Sequence, residues 1–150
     1  MTDLPDLFHQ LVRFETELWN AVDARLRAEF DLPLSRFEPM RVIAGRPSCR
    51  VYDIAEELSI TVGGTSKLVD RIEAAGYCVR RANPGDRRSS IIELTTAGRR
   101  VLAKAAKVFE DELQTRIESA VPPRSVQQFY STLTKLRAAN TEREGTRSSA

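Results

Sequence analysis

The sequence predicts a mainly α-helical chain with one small β-hairpin, and three observations carry that prediction. Apolar residues recur at three- and four-residue steps over most of the chain. One stretch, Tyr77 to Leu94, switches to strand-favouring residues around the turn cluster Asn83-Pro84-Gly85-Asp86. Two short helical segments precede it, separated by Ser59-Ile60-Thr61. Two helices joined by a tight turn and followed by a hairpin form a winged helix-turn-helix, the hairpin being the wing.

Each element has its own signal. Leu4, Leu7, Phe8, Leu11, Leu18, Trp19, Val22 and Leu26 predict a long amphipathic helix that Asp31-Leu32-Pro33 ends. Ser35, with Glu38 three residues on, reads as a capping box for a second helix. Phe37, Met40 and Ile43 or Ala44 supply its apolar face, Pro39 falls in its first turn, and Gly45 with Pro47 closes it. A loop through Cys49 and Arg50 leads to the third helix, in which Ile54, Ala55 and Leu58 recur and the small Ala55 permits close helix approach. Thr61 is the expected N-cap of the fourth. That helix carries Leu68, Val69 and Ile72 on one face, with Thr65, Ser66, Lys67 and Arg71 elsewhere, and stops at Gly76. Tyr77, Val79, Ile91, Ile92 and Leu94 form the hairpin strands. Thr95 or Thr96 caps a long helix with a stripe from Val101 to Ile117, which Pro122-Pro123 breaks. Val126, Phe129, Tyr130, Leu133 and Leu136 predict a last helix. The organisation is then an N-terminal dimerisation helix (1–33), the winged helix-turn-helix (34–97), C-terminal dimerisation helices (98–139) and a tail (140–150) without periodicity, expected to be disordered.

The charge matters by placement rather than by sum. Net charge is only +2, from 23 basic and 21 acidic residues. Acids outweigh bases up to Phe30. From Tyr77 to Lys104 the balance reverses, with Arg80, Arg81, Arg87, Arg88, Arg99, Arg100 and Lys104 against Asp86 and Glu93. A basic stripe on a near-neutral chain is an electrostatic footprint for nucleic acid. No apolar run is long enough for a membrane span, and the start lacks a signal-peptide pattern, so a soluble cytoplasmic protein is expected. Cys49, Cys78 and the single His9 show no metal-ligand spacing, so no metal or cofactor is expected. With one histidine and no Gly-rich phosphate loop, an enzyme is not expected. Asp53, Glu56 and Glu57 read as a solvated charge run.

The apolar stripes at both chain ends seek partners, which a large intrachain bundle or, as the better answer, a two-fold dimer would supply. Such a dimer would place two copies of the fourth helix in major grooves about 34 Å apart on a palindromic duplex. On that helix the DNA-facing candidates are Thr61, Gly63, Gly64, Thr65, Ser66, Lys67 and Arg71. Its N-terminal amides near Val62 can face a phosphate, the hydroxyls suit phosphate or base edges, and Lys67 can reach a phosphate or a guanine. In the wing the candidates read from charge are Arg87 and Arg88, beside the turn that ends at Asp86. Gly63 and Gly64 each weaken a helix by roughly 1 kcal/mol relative to alanine. They suit either a helix start that settles on DNA or simply a start with fewer contacts.

The segments DIAEELSIT, TSKLVDRIEAAGY, NPGDRR and ELTTAG, in that order and with flanking helices from Asp6 to Arg137, resemble the MarR family of bacterial transcriptional regulators. The resemblance implies a homodimer joined through its N- and C-terminal helices and a transcriptional role, with repression expected. It also implies a wing arginine in the minor groove, oriented by an aspartate two residues earlier; Arg88 and Asp86 match that pair, with Arg87 beside them. Many such regulators respond to a small aromatic or phenolic effector. Trp19, Phe37, Met40 and Arg41 lie on helices bordering that cleft in the family, although a core role is favoured for the apolar ones. The family's peroxide sensors carry a cysteine in the first long helix, and Asp6 to Phe30 has none. Two alternatives stay open: a regulator switched by oxidation of Cys49 or Cys78, and a winged-helix protein-interaction adaptor that binds no DNA. The chain departs from the family pattern at Gly63 and Gly64, where larger polar residues are common, and at Ser59, where many turns have glycine.

Overall fold

Helix termini fix the architecture of the computed structural model, which describes residues 1–149. Helix α1 spans Leu4–Phe30. The Asp3 carboxylate accepts the Asp6 N–H at 3.1 Å, and Asp31 ends the helix in the left-handed region at φ 51°. Helix α2 spans Leu34–Gly45, starting ahead of the expected Ser35–Glu38 capping box, which does not form. Instead Asp23 of α1 accepts the Leu34 N–H at 2.8 Å, while Glu38 pairs with Arg41 at 3.2 Å. The earlier start moves Pro39 out of the first turn and inside the helix, where it is buried and has no N–H to give.

The central pair, α3 (Val51–Leu58) and α4 (Val62–Ala74), is closed at each C-terminus by the same device. At α4, Gly76 (φ 82°) donates to the Glu73 carbonyl and Tyr77 to that of Ile72. At α3, Ser59 (φ 54°) donates to Glu56 and Ile60 to Ala55. These paired bonds form a Schellman motif, which wants glycine in the left-handed position. Ser59 therefore carries backbone strain of about 1 kcal/mol. Replacing Ser59 with glycine is expected to raise the unfolding midpoint by a few degrees in thermal unfolding. No gain would mean that the serine side chain offsets the strain.

Strands β1 (Cys78–Ala82) and β2 (Ser90–Leu94) pair antiparallel, with Cys78 opposite Leu94 and Arg80 opposite Ile92. Cys49 adds a bridge to the far side of β2, its carbonyl accepting the Ile92 N–H at 2.7 Å. Helix α5 (Thr96–Leu113) starts from Thr95. The Thr95 hydroxyl accepts the Gly98 N–H at 3.0 Å and donates to the Gly76 carbonyl at 2.7 Å. Gly98 packs so closely on the Tyr77 backbone that a Cβ there would overlap the Tyr77 carbonyl.

Residues 1–111 form one compact unit. Its core holds Val22, Leu26, Leu32, Phe37, Met40, Ile54, Val69, Ile72, Ile92 and Ala105, with the Phe37 and Phe109 rings 5.0 Å apart and Arg25 tied to Asp111 at 2.6 Å. On α1 of this unit Leu4, Leu7, Phe8, Leu11, Val12, Phe14 and Trp19 are exposed.

Residues from 112 form a second unit. A π-helical turn, Gln114–Glu118, interrupts the stripe that had read as one continuous helix, and Ser119 donates five residues back to Gln114 at 3.1 Å. Helix α6 spans Pro123–Ser148 and buries no residue; Phe129, Tyr130 and Leu136 are exposed. The segment expected to be disordered from Asn140 is helical through Ser148, and Ala150 lies outside the described residues. Glu and Arg there are good helix formers, and the Thr141 and Thr146 hydroxyls bond back to the carbonyls of Arg137 and Glu142. The missing apolar period removes a packing face, not helicity.

Candidate nucleic-acid interface

Helix α4 begins at a made cap: the Thr61 hydroxyl oxygen accepts the Gly64 N–H at 3.0 Å. Gly63 faces open space, whereas a Cβ at Gly64 would press on that cap. Three- and four-residue steps then divide the helix. Thr65, Val69 and Ile72 point into the core, Ser66 is half-buried, and Lys67 and Arg71 are exposed. Thr65 thus leaves the set of DNA-facing candidates. It is fully buried, and its hydroxyl donates to the Thr61 carbonyl at 2.7 Å. Its helical phase matches Val69 and Ile72, and the bond back to the preceding turn satisfies its polar group.

The wing loop is held by its own side chains. Asn83 accepts the Gly85 N–H at 3.0 Å and donates to the Ser89 hydroxyl at 3.0 Å. Asp86 accepts the Arg88 N–H at 2.9 Å. Asp86 therefore orients Arg88 through its backbone, an Asx turn, and leaves the guanidinium unengaged. Both Arg87 and Arg88 are exposed and make no ion pair among the described residues.

The neighbouring arginines of the basic stripe are different. Arg81 pairs with Glu93 at 2.6 Å, and Arg80 with Asp70 at 2.6 Å and Glu73 at 3.0 Å. These contacts were not legible from charge counting, which registers residues but not their partners.

Asp53 was also missed. It is buried at 6% exposure rather than part of a solvated run. It accepts the Arg50 N–H at 2.9 Å and both arms of the Arg50 guanidinium at 3.2 and 3.1 Å. The side-chain bonds from Arg50 hold its pKa below the ordinary carboxylate value against the opposing effect of burial. The resulting stabilisation is present above the ordinary carboxylate pKa and is lost as pH falls through the depressed one. The available signal was an aspartate three residues after a helix start.

Cys49 and Cys78 are buried, and burial pushes each thiol up to about 11. At neutral pH almost none is thiolate, so a switch through either lacks its nucleophile.

Among the described residues, the four candidate effector residues lie in different surroundings. Phe37 and Met40 are fully buried core. Trp19 borders a shallow cavity of about 310 Å³ with Glu15, Thr16 and Asn20. Arg41 lies 5.0 Å from the Phe109 ring centroid and lines a different cavity, of about 630 Å³, with Glu38, Arg46 and Glu57. Inward phase on α2 puts Phe37 and Met40 in the core. Among the described residues no helix is long and apolar enough to cross a membrane, and no cluster of three His, Cys, Asp or Glu is placed to hold a metal ion.

Comparison with known proteins agrees with this geometry. Residues 30–89 match the model of the MarR family. An uncharacterized HTH-type transcriptional regulator of Bacillus cereus is 30% identical over 96 residues, which cover 64% of this chain and 63% of that protein. The match thus spans somewhat less than two thirds of this relative's length. Sco3205, a MarR family transcriptional regulator from Streptomyces coelicolor solved in complex with DNA, aligns with a TM-score of 0.81 at 22% identity, over 89% of this chain and 84% of that one. AbsC, another MarR family regulator of Streptomyces coelicolor, aligns with a TM-score of 0.85 at 17% identity, over 95% and 97%. Helix-turn-helix, wing and the match over residues 30–89 converge: the chain has the winged helix-turn-helix fold and is similar to proteins of the MarR family.

Proposed function

We propose that this protein is a cytoplasmic transcriptional regulator that binds a palindromic duplex operator as a homodimer and represses from it. One observation carries the reading: two exposed arginines, Arg87 and Arg88, without an ion pair among the described residues, on a self-braced loop beside a helix that exposes Lys67 and Arg71. Unpaired cations held on a rigid frame favour a polyanion, because phosphates neutralise them and release counterions. Ser66, Lys67 and Arg71, with the backbone at Thr61, Gly63 and Gly64, form the major-groove element; Arg87 and Arg88 form the minor-groove element. The DNA complex of the Streptomyces coelicolor protein supports the same use of the fold.

The dimer is supported by the apolar side chains left exposed on α1 and α6. A second copy covers such faces with the same residues, as a two-fold interface does. Release by a small aromatic or phenolic effector completes the reading, with Arg41 and Trp19 as its remaining contacts. The deciding experiment is recovery of bound duplexes from a random pool, combined with sedimentation of the free protein. A palindromic consensus and a particle of twice the 16.9 kDa chain mass are expected. A monomer, or no enrichment even at low salt, overturns the proposal.

A further inference from the structure

We propose that Arg80 is a positioning residue that fixes the wing against α4 before DNA arrives, an inference that rests on the DNA-binding reading above. Arg80 lies at the middle of β1, at the root of the wing. Its guanidinium Nη2 donates to Asp70 Oδ1 at 2.6 Å and to the Ser66 carbonyl at 3.3 Å. Nη1 donates to Glu73 Oε1 at 3.0 Å, and the Arg80 backbone N–H donates to Glu73 Oε2 at 3.2 Å. The three acceptor residues, Ser66, Asp70 and Glu73, are spaced four and three apart, so they form one stripe along α4. A single planar fork therefore spans two turns of the helix from the strand beside it.

This arrangement does two things. It sets the separation between Lys67 and Arg71 on the helix and Arg87 and Arg88 on the loop, so the ordering cost is not charged to binding. It also compensates Asp70 and Glu73, whose carboxylates sit on the helix that enters the groove and would otherwise repel phosphate. Exposed ion pairs add little to global stability, so binding geometry is where the fork is felt. A lysine cannot replace it, because its ammonium is a point charge without a fork to reach three acceptors.

Two variants test the assignment. Arg80→Lys keeps the charge and loses the fork. It is expected to bind duplex about tenfold more weakly, with an unchanged unfolding midpoint and faster amide hydrogen exchange in the wing loop of the free protein. Native-like affinity would overturn the proposal. Arg80→Gln removes the charge. It should bind more weakly still, with the same slope of affinity against salt as the native protein. A slope reduced by about one would make Arg80 a phosphate contact instead. If the native protein binds no duplex, the DNA reading fails by itself. The exchange comparison needs no DNA, and wing exchange that is identical in all three proteins refutes the fork as a brace.

Discussion

Replacing Arg87 and Arg88 together with alanine is expected to weaken duplex binding about 100-fold near 0.15 M salt, and to reduce the slope of log affinity against log salt by roughly two. The reason is positional. Arg80 and Arg81 are already spent on carboxylates, so Arg87 and Arg88 are the wing's two unpaired cations among the described residues. Neither side chain supports the fold, and the loop is braced by Asn83, Asp86 and Ser89. Thermal unfolding and dimer mass should therefore be unchanged. Fluorescence anisotropy across a salt series makes the measurement. Undiminished binding would remove the wing from the interface, and a native chain that never binds duplex would favour the adaptor reading.

Replacing Gly98 with alanine is expected to cost about 3 kcal/mol of folding stability, at the upper end of ordinary overpacking. The added Cβ meets main chain rather than a movable side chain. The Tyr77 backbone cannot withdraw cheaply, because its N–H donates to Ile72 and its carbonyl accepts the Thr95 N–H at 3.0 Å. The expected fall in melting temperature is on the order of 10 °C. Gly145, also helical and with nothing near its Cβ position, is the control. Alanine there should be neutral or stabilising by up to about 1 kcal/mol. A Gly98→Ala loss below about 1 kcal/mol, read by urea unfolding, would mean that α5 can shift away from Tyr77 at little cost.

What the sequence made legible was whatever depends on neighbours along the chain. The Thr61 cap, the Gly76 stop and the Asn83–Asp86 turn each rest on residues within a few positions, and each is present. What it hid depends on distant partners. Ser35 and Glu38 had the right spacing, but Asp23, eleven residues before Leu34, satisfies the helix start instead. Thr65 looked like a polar surface residue because its burial is compensated by a bond to its own helix. Gly98 has no signal along the chain for its close packing, which exists only because Tyr77, 21 residues earlier, is brought against it. The four wing arginines were equivalent in sequence; carboxylates from α4 and β2 separate two of them from the rest.

The Thr95 hydroxyl is one oxygen with two attachments, the last carbonyl of the α4 terminus and the first turn of α5. It acts as a pin through two levers. With Gly98 seated on Tyr77, the joint has almost no slack, so tilting the front of α5 drags the tail of α4 with it. Any molecule that favours one tilt of α5 would be felt at α4 without touching it.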